Sequence, residues 1–99
     1  MNKKQALLIH RKDHVATLLC PVAPGDRVTI IHNKSEIDQI TVRETIDVYH
    51  KIAIQDIQPM QPVNKYGEVI GRAGKFIKKG QWVHVFNLES VMNHENKRL

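Results

Sequence analysis

The sequence predicts a small all-β domain, and two observations carry that prediction. The apolar runs are short, rich in Val and Ile, and separated by four prolines and five glycines. That is the texture of strands broken by turns, with no sustained helical period of about 3.6 residues. A repeat also runs through the chain. Leu18, Val22, Gly25 and Val28 have the spacing of Ala53, Ile57, Met60 and Val63, and of Ala73, Ile77, Gly80 and Val83. Each unit ends a strand, drops one apolar side chain into a core, turns, and starts a new strand; the alternative is a chance match of apolar positions. Units of this kind join strands by corners, so the expected structure is compact and folded over, not an up-and-down meander. Gly25 and Gly80 hold the turn position, where glycine adopts positive φ without steric cost. Met60 in the same place means either a different turn type or some strain.

The elements follow in order. A first strand is expected at 6–9, an apolar run stopped by His10-Arg11-Lys12-Asp13. A second at 14–19 leads to Cys20, read as a buried thiol; a single cysteine excludes an internal disulfide. Pro24-Gly25-Asp26 signals a turn before a strand at 27–31. Asn33-Lys34-Ser35-Glu36 reads as an exposed loop before a strand at 39–42. In the strand at 51–54, alternation sends His50 and Ile52 to one face, Lys51 and Ala53 to the other. Tyr66-Gly67 is a turn before 68–72, and Lys65-Tyr66-Gly67 reads as a hairpin with Lys65 exposed. The last strand, 82–86, puts Val83 and Val85 on one face, His84 and Phe86 on the other. The 99 residues fit one domain, 1–99, with its core in about 6–90 and a polar tail at 93–99 expected to fray.

The formal charge of +5 comes from scattered bases, with few aromatics and no basic-aromatic interleaving of the kind a nucleic-acid stacking platform uses. An anionic small molecule or an acidic partner surface accounts for the charge equally well. No apolar stretch approaches the ~20 residues of a membrane span, and no signal-peptide core follows the N-terminus. A cytoplasmic location is expected.

Six histidines raise the question of metal, but their spacings argue against a complete site on this chain. His10 and His14 flank a turn; His32 and His94 fall in polar, loop-like segments and are expected to be solvated. His50 and Lys51 at a strand mouth either bind a carboxylate or form a solvated strand end. His84 beside Phe86 is either a site residue or a packed histidine, and Asn87 either a ligand or a turn residue. No Ser-His-Asp order, phosphate-binding glycine loop or close carboxylate pair is present.

Taken in order, Asp13-His14-Val15-Ala16, His50-Lys51-Ile52-Ala53-Ile54, Lys65-Tyr66-Gly67-Glu68-Val69-Ile70-Gly71 and Gly80-Gln81-Trp82-Val83-His84-Val85-Phe86-Asn87-Leu88 resemble the SAF domain of the altronate/galactarate dehydratase family, from about Ala6 to Ser90. The resemblance implies a β-clip fold. It implies an N-terminal domain of a longer dehydratase or, in some members, a separate small subunit beside a large catalytic one. Because the sequence stops where such a domain would stop, the expectation is the small subunit, inactive alone. Family members eliminate water from sugar acids, and a related two-subunit lyase removes sulfite from sulfolactate. A divalent metal, iron by expectation, would belong to the large subunit, and none to this chain alone. The implied site residues are His50 and His84 as catalytic groups, with Lys51, Asn87, Tyr49 and Lys65 as substrate contacts. Homo-oligomers are a further possible assembly.

Two departures stand out. The family reads Gly where this chain has Tyr49, and His-x-His-Asn where it has His84-Val85-Phe86-Asn87. A phenylalanine neither binds metal nor moves a proton. Either the substrate differs, or this chain has lost catalytic participation and serves structure or regulation. The rival reading is a stand-alone β-clip module that binds an anionic ligand or an acidic protein.

Overall fold

The computed structural model describes residues 3–84 and 86–90. Among the described residues there are nine strands and no helix: β1 (Gln5–Leu7), β2 (Val15–Leu18), β3 (Arg27–His32), β4 (Ser35–Thr41), β5 (Lys51–Ala53), β6 (Pro62–Lys65), β7 (Glu68–Ala73), β8 (Trp82–Val83) and β9 (Leu88–Ser90). A six-stranded sheet runs in the order β4-β3-β1-β2-β5-β8, and a three-stranded sheet in the order β6-β7-β9. The β1–β3 pairing is parallel and the other ladders are antiparallel. The chain is all-β, consistent with the β-clip of a SAF domain.

The repeat is a structural unit, and it occurs four times. The unit not read from the sequence is Val42, Ile46, Tyr49 and Ile52, where Val42, Ile46 and Ile52 are buried. The turn position has positive φ in all four: 91° at Gly25, 68° at Tyr49, 70° at Met60 and 93° at Gly80. Met60 therefore keeps the glycine geometry and carries its strain.

The corners pair by exchanging backbone bonds. Val22 and Ile46 bond each other at 2.9 and 3.0 Å, while Gly25 N–H donates to Val42 O at 2.9 Å and Tyr49 N–H to Leu18 O at 2.8 Å. Ile57 and Ile77 repeat the exchange at 2.7 and 2.9 Å, with Met60 N–H donating to Ala73 O and Gly80 N–H to Ala53 O. Each corner thus meets its own likeness about a local two-fold, and its backbone polar groups are satisfied without long strands.

Two cores result. One gathers Leu18, Val28, Ile30, Ile40, Ile46 and Ile52; the other gathers Val15, Ala53, Ile57, Val63, Ala73, Ile77 and Val83. Consecutive residues on β2 (Val15, Ala16) and on β5 (Ile52, Ala53) enter different cores, so these strands lie between the two.

Several expectations need correction. Ser35 and Glu36 belong to β4, and the loop is the two-residue turn Asn33-Lys34, with φ of 50° and 67°. Positive φ at both residues is the type I′ signature that matches the twist of a hairpin. β6 follows the Met60 turn, where the repeat starts a new strand, although Pro62 and Asn64 are poor strand formers; Pro62 is tolerated as the exposed first residue of an edge strand. The strand read at 82–86 stops at Val83, a turn follows, and β9 begins at Leu88. His32 is buried, 8% exposed, with Nδ1 2.9 Å from the Leu8 carbonyl oxygen, so it is not solvated. Val85, His94 and the tail 93–99 lie outside the described residues.

Candidate functional site

The four corners differ at the residue after the positive-φ position: Asp26, His50, Gln61 and Gln81. Three of these side chains fold back and cap their own turn. Asp26 Oδ2 accepts the Ala23 N–H at 2.8 Å, Gln61 Oε1 the Gln58 N–H at 3.0 Å, and Gln81 Oε1 the Lys78 N–H at 2.7 Å. His50 makes no such bond to its own turn. Its ring is turned outward against Trp82, centroids 5.3 Å apart and nearly perpendicular.

Trp82 in turn lies 4.2 Å from His84, and His84 5.5 Å from Phe86. The antiparallel register pairs Ile52 with Trp82 and Lys51 with Val83, so one further step sets His50 across from His84. The result is a row of rings, His50–Trp82–His84–Phe86, ending on a phenyl group that is 82% exposed. Glu44 anchors it from behind, its carboxylate accepting the Trp82 N–H at 2.9 Å.

The turn after β8 fixes His84. Its carbonyl accepts N–H bonds from Asn87 and Leu88, and its Nδ1 accepts the Phe86 N–H at 3.2 Å. With Nδ1 an acceptor, the neutral ring carries its proton on Nε2. Asn87 is 5% exposed; its Oδ1 accepts the His84 N–H at 2.8 Å, and its Nδ2 donates to the Trp82 carbonyl at 2.7 Å. Both ends of the amide thus hold backbone. The arrangement supports the turn role for Asn87 and lends nothing to the substrate contact.

Lys51 leaves the row. Strand alternation turns it to the other face of β5, where it is half-buried. Burial lowers its pKa first, the Lys65 charge lowers it further, and Tyr66 raises it. Lys65 Nζ sits 4.6 Å over the Tyr66 ring. Tyr49 is 73% exposed at its positive-φ corner. The expected residues therefore divide: His50 and His84 come together across Trp82, whereas Lys51 and Lys65 gather at the 65–68 hairpin.

Sequence reasoning gave Asp13 and His14 no role of their own. Asp13, 3% exposed, accepts the N–H groups of His10 at 3.1 Å, Tyr66 at 2.8 Å and Gly67 at 2.8 Å. A Cβ on Gly67 would press 2.9 Å from the His10 ring. His14 Nδ1 accepts the Asn64 N–H at 2.8 Å, and burial lowers its pKa against a smaller opposing effect of Asp13. These two residues hang the hairpin on the loop before β2. Their signal was their place in a matching motif, with nothing local to show what they hold.

Among the described residues, no three His, Cys, Asp or Glu side chains gather closely enough to hold a metal ion, and no helix is long and apolar enough to cross a membrane. An open groove of about 280 Å³ is lined by Thr41, Arg43, Asp56, Lys78 and Lys79, none of them a residue of the ring row.

The model of the altronate/galactarate dehydratase SAF domain family matches residues 4–91. The sequence is 33% identical over 90 residues to the altronate dehydratase of Bacillus subtilis, covering 91% of this chain and 17% of that protein. It is 35% identical over 89 residues to the altronate dehydratase of Escherichia coli, again 17% of its length. It is 38% identical over 52 residues to the (2R)-sulfolactate sulfo-lyase subunit alpha of Chromohalobacter salexigens, 52% of this chain and 55% of that subunit.

Proposed function

The chain belongs to the SAF-domain family of altronate/galactarate dehydratases, and from that premise we propose that it completes the active site of a larger lyase chain. The reaction class is carbon–oxygen elimination from a sugar acid or other hydroxy acid, or the carbon–sulfur counterpart on a sulfolactate-type substrate. The coverage supports this reading: the chain spans 17% of each altronate dehydratase, and the sulfo-lyase relative is itself a subunit.

The observation that carries the proposal is the ring row. In an elimination, a base takes the proton beside the carboxylate, the C–H electrons form the new double bond, and the leaving hydroxyl departs as water after taking a proton. His84 presents Nε2–H and is suited to give that proton or to hold the hydroxyl. No hydrogen bond to another described residue engages the His50 ring, which is free to receive a proton or bind a substrate oxygen. Trp82 lies between the two rings, 5.3 Å from His50 and 4.2 Å from His84. The highly exposed Phe86 and Tyr49 mark an open face that a larger chain would close. Any divalent metal, iron included, belongs in this reading to the larger chain, and no step here runs through it.

The test begins with affinity purification of the tagged chain from its source cells and identification of what remains bound. The complex is then assayed on altronate, galactarate and sulfolactate with His50→Ala and His84→Ala. Loss of turnover by about 100-fold or more in either variant supports the reading. Wild-type turnover in both refutes the catalytic role.

A further inference from the structure

Among the described residues, the turns at 10–13 and 84–87 carry the same bond pattern, and each opens on a histidine and closes on Asp or Asn. In the first, the His10 N–H donates to Asp13 Oδ2 at 3.1 Å, the Asp13 N–H to the His10 carbonyl at 2.9 Å, and the Lys12 N–H to His10 Nδ1 at 3.1 Å. In the second, the His84 N–H donates to Asn87 Oδ1 at 2.8 Å, the Asn87 N–H to the His84 carbonyl at 3.0 Å, and the Phe86 N–H to His84 Nδ1 at 3.2 Å. The first two bonds of each set also cap the corners that start at Ala23, Gln58 and Lys78. The third bond is particular to the histidine turns. A backbone amide only donates, so each Nδ1 is an acceptor and each neutral ring carries its proton on Nε2. His32 shows the opposite state: its Nδ1 faces the Leu8 carbonyl oxygen, which only accepts, so the proton sits on Nδ1.

The two turns are anchored differently. Asp13 gives its carboxylate to the Tyr66 and Gly67 amides as well. Asn87, 5% exposed, donates Nδ2–H to the Trp82 carbonyl at 2.7 Å and accepts the Gly74 N–H on its own carbonyl at 2.9 Å. It thus ties the turn to β8 on one side and to the end of β7 on the other. The Phe86 amide is held against the ring by this anchoring.

We propose that Asn87 is a positioning residue: it builds and anchors the turn that holds His84 as an Nε2 donor, and it touches no substrate itself. This takes the place of the substrate contact that the resemblance implied for Asn87. The assignment deepens the lyase reading and rests on it for what His84 donates to, a hydroxyl of the hydroxy acid.

Long-range proton–nitrogen correlation spectra of the full chain, labelled with nitrogen-15, read the tautomer of each ring at about pH 8.5, where a histidine of ordinary pKa is neutral. The expected result in wild type is Nε2–H at His10 and His84, with Nδ1–H at His32 as the reference for the other form. Asn87→Ala should give a mixture at His84, its Nδ1–H share rising about fivefold or more for the loss of one hydrogen bond, while unchanged His10 and His32 show the fold intact. Asn87→Asp keeps the acceptor that Asp13 supplies in the twin turn and loses the Trp82 bond. It should lower the denaturation midpoint and still hold His84 as Nε2–H, which separates positioning from stability. Phe86→Pro removes the amide donor, leaves Asn87 in place, and should give the same mixture as Asn87→Ala. Nδ1–H at His84 in wild type, or the wild-type tautomer in both Asn87→Ala and Phe86→Pro, would overturn the proposal. The spectra need no partner chain, so they can fail while the histidine assay succeeds, and the assay can fail while they succeed.

Discussion

His50 occupies the place where the other corners carry a side chain that caps its own turn. The exchange sacrifices a hydrogen bond, and a position that lowers stability without local reason is a candidate for function. His50→Gln would restore the Gln61 and Gln81 arrangement and should stabilise the chain by about 0.5–1.5 kcal/mol, read from the urea midpoint at constant slope. A lower midpoint would mean that His50 itself supports the corner. His14 gives a second residue-scale outcome. Its folded pKa lies below its ordinary 6.5, chiefly through burial. Below that value the unfolded chain takes up a proton that the folded chain resists, so the unfolded state binds more protons and stability drops as pH is lowered. The contribution is complete above the ordinary pKa and is lost as pH falls toward the folded one. The thermal midpoint of wild type relative to His14→Gln should therefore shrink between about pH 7.5 and pH 5. A difference that stays constant with pH would rule this out. The candidacy of His50 and His84 was legible in the sequence as polar rings beside strands. Trp82 between them was not, because its place depends on the β5–β8 register, which no local pattern encodes.

The corner is the recurring element, and its glycines test how tightly corners pair. A Cβ on Gly25 meets nothing within 4 Å, whereas one on Gly80 would run into the Thr41 carbonyl oxygen and lie 3.2 Å from Arg43 Cγ. Both have positive φ, so Gly25→Ala should cost about 1 kcal/mol from backbone strain alone. Gly80→Ala should cost clearly more, because the chain must also move. Equal denaturation midpoints for the two variants would contradict the packing described here. Three corners were readable because Gly25, Gly80 and the run of matching apolar positions mark them. The fourth, Val42, Ile46, Tyr49 and Ile52, has the same apolar spacing with Tyr49 in the glycine place, as Met60 stands in the third. β6 and β9 are short, polar segments, formed because β7 offers them a partner and not because of their own composition. At the hairpin, Asp13→Ala leaves three amides without their acceptor and should cost about 1–3 kcal/mol. Amide exchange at Tyr66 and Gly67 should quicken more than at Ile57, and uniform protection would show that the hairpin does not depend on Asp13.

At the scale of the molecule, two small cores share the strands that carry the site. β5 sends Ile52 and Ala53 into different cores, and its opposite faces carry His50 and Lys51 outward. The fold thereby separates a histidine surface from a lysine surface with a single strand between them. The sequence carried the fold class and the family. Strand alternation alone parts His50 from Lys51; bringing His84 across from His50 needed the β5–β8 register of the folded sheet. The measurement that tests the central claim most directly is turnover of the purified complex carrying His50→Gln, alongside the stability of the same variant. The account predicts a chain at least as stable as wild type and turnover lower by about 100-fold or more. Unchanged turnover with that variant would contradict it.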